Sequence, residues 1–329
     1  LLLGGPGDDS TPGFSPDGTR VAFFRDVPVA SGTSLPVDLY VMKADGSGVT
    51  KISPSPMYSV GEAAWAPDGR HIAVVHPDGP LDRLDLFDTS GSLPPQRIDA
   101  AVGIDTMAFR PPDGHEILFR ALVNGKYGLF TINADGSRRQ TLVDPVNTTD
   151  IDQDLNSATY SADGSRIFYQ RWFPDSIQLW VMNADGTDQH RFDTQVAPAW
   201  SGVPVPSPDG KWIAYWHVFE DGRATQRVSV APADGSGPII QTGPELTGLA
   251  RWVWSPDSTK ILMRPDDGPT AYLLDPGGGA GTPVRWQGDL DIDWQTRRAR
   301  LTESWGRSSH GGRPFSVTVP SWVGPIVST

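Results

Sequence analysis

The side chains of this chain that are best suited to recognition chemistry are aromatic residues, arginines and histidines in long segments between short β-like runs. Tyr, Trp and Arg contribute much of the binding energy at protein interfaces, and binding residues concentrate on long loops carried by a rigid scaffold. We therefore predict a binding surface composed of Tyr58, Arg171, Trp172, Phe173, Trp216, His217, Phe219 and Arg223. For Trp200 and Trp216 the alternative prediction is that their side chains are buried in the core.

The sequence carries no local catalytic signature. Segment 306–310, Gly-Arg-Ser-Ser-His, lacks the second glycine that a nucleophile elbow needs. The six histidines include no His-Glu-x-x-His pair, which excludes a local zincin site. We therefore favour a non-catalytic protein. The alternative is an enzyme that assembles its site from distant loops, where Tyr58, His76, Arg171 and His217 would converge.

Two acidic segments resemble calcium loops in composition only. They contain Asp144, Asp150, Asp152 and Asp154 in the first segment and Asp289, Asp291 and Asp293 in the second. Neither has the alternating oxygen ligands, central Gly and terminal Glu of a calcium loop. We predict no cofactor, with calcium as the alternative. The chain has no Cys, so disulfides and thiolate metal sites are excluded.

The charge balance of the chain restricts its partners. With 39 acidic and 27 basic residues, its net charge is −12, which opposes binding to nucleic acid and to an anionic membrane surface. No apolar run approaches the roughly 18 to 20 residues that would insert into a bilayer. We expect a protein or peptide partner, alternatively a saccharide, and a monomer. Because the sequence begins at Leu1, we expect that a leader or upstream segment has been removed.

A turn motif repeats along the chain and decides the predicted fold. The sequence Phe-Ser-Pro-Asp-Gly at 14–18 has near-copies whose aspartates are Asp17, Asp68, Asp113, Asp163, Asp209 and Asp257. The intervals are 45 to 51 residues, with a mean of 48. Pro fixes φ, Asp accepts hydrogen bonds from the residues after it, and Gly adopts a positive φ, so the motif predicts a hairpin turn. An alternating β-rich run follows each copy.

A second turn, built on Asp-Gly, closes several repeats, as at 44–46, 134–136, 184–186 and 233–235. Asp-Gly between β-like runs is a strong hairpin signal. Each repeat therefore predicts four antiparallel strands, A to D in chain order, which is the composition of a propeller blade. The sequence thus predicts an all-β protein with one β-propeller domain over 1–329.

The number of blades follows from the repeat length. The mean interval of 48 residues divides the 329-residue chain into about seven units. We favour seven blades, with an N-terminal strand that completes the last one; six blades and a C-terminal tail are the alternative. The predicted repeats are approximately 11–53, 62–98, 105–143, 156–193, 203–242 and 250–287, with a degenerate closing unit of 290–320 and 1–4.

The two turns and the β run between them resemble the TolB-like, WD40-like (PD40-type) β-propeller repeat family. The six near-copies carry this resemblance over nearly the whole chain. The resemblance implies blades arranged around a central channel and a binding role. It also implies an extracytoplasmic location, periplasmic or secreted.

Strand order separates two ends of the predicted propeller. The A–B and C–D turns lie at one end, which we call the turn face. The B–C and D–A connections lie at the other end, which we call the long-loop face, and the predicted binding residues belong to it. Four carboxylates just ahead of A strands are predicted to line the channel mouth, where they would favour a cation or a basic segment: Asp9, Glu62, Asp105 and Asp293.

These observations predict a non-catalytic binding or scaffold propeller that presents its long-loop face and channel to a protein or peptide. Two alternatives remain open. One is a saccharide-active enzyme, a lyase or glycosidase, with its site at the channel mouth. The other is an extracellular sensor module of a larger protein. A shallow aromatic face would favour binding, and a pocket of His, Arg, Tyr and carboxylates would favour an enzyme.

Overall fold

The regular secondary structure of the protein is β throughout the described residues. The computed structural model describes residues 9–28, 36–58, 60, 62–144, 155–173, 176–192, 200–201, 204–218, 225–247, 250–265 and 270–285. Strands in these residues pair antiparallel with a single short parallel exception. The predicted all-β fold class is confirmed.

Blades 1 to 3 comprise one separate four-stranded sheet and two blades joined by a long strand. Their strands are β1 (Asp9–Phe14), β2 (Arg20–Asp26), β3 (Val37–Lys43), β4 (Thr50–Lys51), β5 (Glu62–Trp65), β6 (His71–Asp78), β7 (Leu81–Asp88), β8 (Gln96–Phe109), β9 (Glu116–Val123), β10 (Lys126–Asn133) and β11 (Gln140–Val143). The first part of β8 pairs with β7 as the outer strand of blade 2. Its second part pairs with β9 as the inner strand of blade 3, so these two blades are continuous through β8.

Blades 4 to 6 also consist of four strands each in chain order, and one additional short strand lies between blades 4 and 5. Their strands are β12 (Leu155–Tyr160), β13 (Arg166–Phe173), β14 (Ser176–Asn183), β15 (His190–Arg191), β16 (Trp200–Ser201), β17 (Val205–Pro206), β18 (Trp212–Val218), β19 (Gln226–Pro232), β20 (Ile240–Leu246), β21 (Ala250–Trp254), β22 (Ile261–Pro265), β23 (Thr270–Leu274) and β24 (Thr282–Arg285). The short β16 pairs with β14 of blade 4 and with β18 of blade 5. It therefore joins these two blades at their long-loop ends.

The inner strands of successive blades lie next to one another. Contacts run from β1 to β5, β5 to β8, β8 to β12, β12 to β17 and β17 to β21. A series of inner strands, each belonging to its own four-stranded unit, is the arrangement of blades around a propeller axis. The described residues contain six such blades. The predicted closing unit, 290–320 with 1–4, lies outside them, so the count of seven and the repeat boundaries stay predictions.

The A–B turns form because the turn aspartate satisfies the backbone groups that follow it. The Thr19 amide donates to Asp17 Oδ1 at 3.0 Å, and Ser15 Oγ donates to the same oxygen at 2.7 Å. The hydrogen bonds from Ser15 and Thr19 lower the pKa of Asp17 to about 2. In blade 6 the usual glycine is replaced by Ser258, which adopts φ +59°. Its Oγ accepts the amide N–H of Asp209 in blade 5 at 3.0 Å, which gives the substitution a structural role.

The core consists of side chains packed between neighbouring blades. The aromatic residues ahead of the turns lie at these interfaces. The indole N–H of Trp65 donates to the Gly13 carbonyl of blade 1 at 2.9 Å, and that of Trp254 donates to the Val205 carbonyl of blade 5 at 2.9 Å. Tyr160 packs in the cluster between blades 3 and 4. These rings therefore fix the spacing of adjacent blades.

Candidate functional site

A basic side chain occupies the long-loop end of the second strand in every described blade. It stands seven or eight residues after the turn aspartate, and the set is Arg25, His76, Arg120, Arg171, His217 and Arg264. We call these residues the basic set. The partners of the individual members differ from blade to blade.

Arg120 in blade 3 is neutralised by a carboxylate. Its Nε and one terminal nitrogen donate to the two carboxylate oxygens of Asp105 on the neighbouring strand β8. The guanidinium also lies over the Tyr127 ring, 3.9 Å from its centroid. Asp105 was predicted as an acidic residue of the channel mouth. Its pairing with Arg120 reduces the negative potential that it can contribute there.

His76 in blade 2 is held by a buried carboxylate. Its Nε2 lies 3.1 Å from Asp85 Oδ2, and the Arg83 guanidinium lies 2.8 Å from the same oxygen. Asp85 is only 2% exposed. The other ring nitrogen of His76 lies 3.3 Å from the Pro77 carbonyl oxygen. Protein oxygen atoms therefore engage both nitrogens, an arrangement that suits a structural ion cluster better than a catalytic base.

Arg171 in blade 4 has aromatic neighbours instead of an acidic one. Its guanidinium lies over the Trp180 ring, 4.3 Å from the centroid. Tyr169 lies on the same side of the blade, and burial raises the pKa of its hydroxyl to about 12, so it is not an anionic partner at neutral pH. No carboxylate within the described residues pairs with the half-buried Arg171. Its charge is available to a ligand.

The predicted binding residues of blades 4 and 5 lie on different sides of their sheets. Because side chains alternate along a strand, Arg171 and Phe173 lie on the side of Tyr169, which packs towards blade 3. Trp172 lies on the opposite side, that of Phe168, which packs towards blade 5. All three are half-buried.

Trp216 and His217 are both buried, on opposite sides of blade 5. Trp216 packs edge-on against Trp252 of blade 6, with ring centroids 4.7 Å apart. It is 6% exposed, so its place is the core alternative rather than an open surface. His217, also 6% exposed, lies on the side that faces blade 4. The structure thus brings His217 and Trp172 to one interface and separates Trp216 from them.

Exposed apolar side chains extend the long-loop face over blades 1 to 3. Tyr58 follows a bridge between Met57 and Val37 at this end and is 57% exposed. Leu81 and Val102 are 38% and 47% exposed. The register that pairs Asp82 with Ala101 places these two residues side by side.

The other predicted positions are described only in part. The backbones of Asp9 and Glu62 begin β1 and β5. Phe219, Arg223 and Asp293 lie outside the described residues, as do the acidic residues predicted at 150–154 and 289–293. Asp144 is exposed at the end of β11. Among the described residues, no three His, Asp or Glu side chains are grouped to hold a metal ion. These residues also contain no helical segment with the length and hydropathy of a membrane span.

Sequence reasoning did not single out Arg120, Arg227 or Arg264. The repeat contained a signal for two of them, since Arg120 and Arg264 stand seven residues after Asp113 and Asp257. Arg227 has no such signal. It enters the long-loop end of blade 5 because it pairs across strands with His217.

Comparisons with known proteins match the fold. No family model matches the chain, and no curated protein matches its sequence. TolB from Acinetobacter baumannii is 20% identical, with a TM-score of 0.56 over 79% of this chain and 62% of that chain. Oligogalacturonate lyase from Vibrio parahaemolyticus is 13% identical, with a TM-score of 0.63 over 83% of this chain and 75% of that one. An oligogalacturonate lyase in complex with manganese is 15% identical, with a TM-score of 0.64 over 83% and 74%.

The chain spans less than two thirds of the Acinetobacter TolB and about three quarters of the two lyases. Proteins with such different names share the architecture, so the architecture alone does not carry an activity. The repeated turns, the four-stranded blades and these structural matches agree. This chain has a TolB-like β-propeller fold.

Proposed function

We propose that this protein is a non-catalytic binding propeller that takes an acidic protein or peptide segment on its long-loop face. The observation that carries the proposal is the distribution of exposed apolar groups. Five large apolar side chains are exposed in the described residues, and Tyr58, Leu81 and Val102 lie at the long-loop end. Exposed apolar side chains grouped at one end of a rigid fold are typical of an interaction surface.

The charge of this face supports an acidic partner. The basic set contains four arginines, Arg25, Arg120, Arg171 and Arg264, of which Arg120 pairs with Asp105. Arg171 has no carboxylate partner among the described residues, and the rings of Trp180 and Phe173 lie near it in the same blade. Arginine and aromatic residues together form the anchors of many interfaces. An acidic segment with apolar residues would meet both features.

The experiment is selection of a random peptide library on the immobilised full chain, followed by calorimetric titration of an enriched peptide. We expect Phe173→Ala and Leu81→Ala each to weaken binding about tenfold, since each removes an apolar anchor. The matched control is Leu93→Ala. Leu93 is also an exposed leucine, at 63%, but it lies on the turn face, so its replacement should leave the affinity unchanged.

The result that contradicts the proposal is a peptide whose affinity falls with Leu93→Ala and not with the two long-loop variants. Failure of the library to enrich any peptide over an unrelated propeller would contradict it as well. Thermal unfolding of each variant, measured alongside, separates a lost contact from a lost fold.

A second candidate is an enzyme that acts on an anionic saccharide. It is favoured by the position of His76, Arg171 and His217 at the long-loop ends of their strands and by the fold likeness to oligogalacturonate lyases. Incubation of the purified chain with oligogalacturonate, followed by ultraviolet detection of unsaturated products, tests it. Product formation that is lost in Arg171→Gln would replace the binding proposal.

We also propose that the protein acts outside the cytoplasm, in the periplasm or as a secreted protein, and as a monomer. The likeness to a TolB fold supports the location. An extracellular sensor module is the alternative form of the same proposal. Fractionation of the source cells tests the location, and light scattering during size-exclusion chromatography tests the monomer.

A further inference from the structure

The interface between blades 4 and 5 changes character along its length. Near the turn face it is apolar, with Phe168 and Val181 of blade 4 packed against Ile213 and Ala231 of blade 5. Towards the long-loop face its side chains are polar or amphipathic. We call this upper part the 4/5 seam, and its residues are Gln170, Trp172, Tyr215, His217, Thr225, Arg227 and Ser229.

Strand register places the blade 5 residues of the seam on one side of the sheet. Tyr215 pairs with Ser229, and His217 pairs with Arg227. Cross-strand partners share a side of the sheet, as do alternate residues of one strand. Since Tyr215 packs against blade 4, the side chains of His217, Arg227 and Ser229 also lie on the side that faces blade 4.

Three neighbouring groups of the seam have hydrogen-bonding capacity that the described protein leaves unused. They are Thr225 Oγ1, Arg227 Nε and Ser229 Oγ, each a buried atom with no hydrogen-bond partner in the described part of the chain. Ser229 is 1% exposed and Thr225 is 8% exposed. A buried donor without a partner is costly, and such groups in a native fold call for an explanation such as a bound water or ion.

All three unused groups donate hydrogen bonds, and one of them carries a positive charge. No carboxylate in the described residues pairs with Arg227, which is half-buried. At the equivalent position of blade 2 the charge is compensated, since Arg83 pairs with Asp85. A half-buried cation that lacks an anion is unfavourable. The seam between blades 4 and 5 is therefore a place where an anion would complete the structure.

We propose that the 4/5 seam binds an oxyanion, a carboxylate or phosphate group, on Arg227 and Ser229. The guanidinium presents a planar pair of donors that matches such a group, and the Ser229 hydroxyl, two residues along the same side of the strand, adds a further donor. A cation would be repelled by Arg227, and a neutral ligand would leave its charge uncompensated. Gln170, Trp172 and His217 supply additional polar edges around the position.

The oxyanion has two possible sources with the same chemistry. It is either a free small anion or the carboxylate of a bound acidic peptide. Only the second source rests on the proposed binding function, because the seam lies towards the same long-loop face. The test therefore uses inorganic phosphate, acetate and a short glutamate peptide as separate probes against the full chain.

The measurement is thermal unfolding in chloride buffer and in each probe at equal ionic strength. At about 20 mM probe, we expect at least one of the three to raise the midpoint by about 2 °C or more, because a ligand that binds only the folded state stabilises it. Arg227→Gln should abolish this shift, and Ser229→Ala should reduce it. The matched control is Arg70→Gln, which removes an exposed arginine from the turn face and should retain the full shift.

Arg227→Gln is expected to fold, since it removes a charge that has no partner in the described protein. If it does not fold, the smaller change Ser229→Ala decides the question. A shift with phosphate or acetate supports a free anion, and a shift with the glutamate peptide alone supports a peptide carboxylate. No shift with any probe, or an equal shift in Arg227→Gln and the parent chain, overturns the site. Because phosphate and acetate require no peptide, their result stands apart from the peptide-binding proposal.

Discussion

The two ends of the propeller differ in how similar their blades are to one another. At the turn face, the turn aspartate has a lowered pKa in both turns of all six described blades, because neighbouring groups donate hydrogen bonds to its carboxylate. Desolvation acts in the opposite direction; at Asp68 and Asp209 it is the largest single effect, but the hydrogen bonds and nearby charges together outweigh it. The turn aspartates are Asp17, Asp45, Asp68, Asp88, Asp113, Asp135, Asp163, Asp185, Asp209, Asp234, Asp257 and Asp275.

At the long-loop face, equivalent positions have different partners. Arg120 pairs with a carboxylate, Arg171 lies over an indole ring, and their counterpart in blade 5, His217, is buried. A turn needs the same local hydrogen bonds in every blade, whereas the end of a strand needs only to be extended. Residue types at the turn face are therefore constrained by the hydrogen bonds that stabilise the turns, whereas residue types at the long-loop face can differ from blade to blade.

The largest expected loss of stability comes from a substitution at the turn face. Gly164 has φ +68°, and a Cβ there would overlap the carbonyl oxygen of Pro111 in the preceding blade. We expect Gly164→Ala to lower the free energy of unfolding by about 4 kcal/mol, because strain and a backbone clash combine. Urea unfolding measures it.

The matched control for Gly164 is Gly79→Ala at the long-loop end. Gly79 has the same φ of +68°, but a Cβ there has open space around it. It should therefore cost only the strain of the positive φ, about 1 kcal/mol. Equal costs at the two positions would contradict the view that turns of adjacent blades are packed together.

A second variant separates core from surface within the predicted binding residues. Trp216→Ala should lower the free energy of unfolding by about 3 kcal/mol, since it empties space between blades 5 and 6. Trp172→Ala, at a half-buried position, should cost less than half as much. A reversal of this order in chemical denaturation would contradict the assignment of the two rings.

The paired and unpaired arginines provide a third test. Arg120→Gln should cost about 2 kcal/mol, because it leaves the Asp105 carboxylate without its cation. Arg171→Gln, at the corresponding end of the next blade, breaks no ion pair in the described structure and should change stability little. If both variants unfold at the same urea concentration, the ion pair of Arg120 contributes nothing to stability beyond what Arg171 contributes without one.

The smallest effect concerns pH. The pKa of Asp17 in the folded protein is about 2, below the ordinary value of 3.8 for an aspartate. Its contribution to stability is therefore present above about pH 4 and is lost as the pH falls towards 2. Because Asp17 is exposed, solvent screening limits the contribution to about 0.5 kcal/mol. Asp17→Asn should lower the thermal midpoint slightly at neutral pH and leave it unchanged near pH 2; an equal loss at both pH values would contradict the carboxylate's role.

Much of the fold could be predicted because its signals are local. Asp17 and its five counterparts stabilise their turns through hydrogen bonds with residues within three positions along the chain. The residues that form each turn can therefore be read from the sequence. Less of the candidate site could be predicted. Phe173, Trp172 and Trp216 looked equivalent as large side chains near strand ends. Their surroundings differ because adjacent residues of a strand lie on opposite sides of a blade, and each side meets a different neighbour.

Sequence by itself determined that this protein repeats a four-stranded unit and where the unit turns. Those features depend on dihedral preferences and on hydrogen bonds between residues close together in the chain. Only the tertiary structure decided that Arg227 lies beside His217 and towards blade 4, and that Arg120 has a carboxylate partner while Arg171 has none among the described residues. Such pairings depend on register between strands and on packing between blades, which the spacing along the chain does not specify.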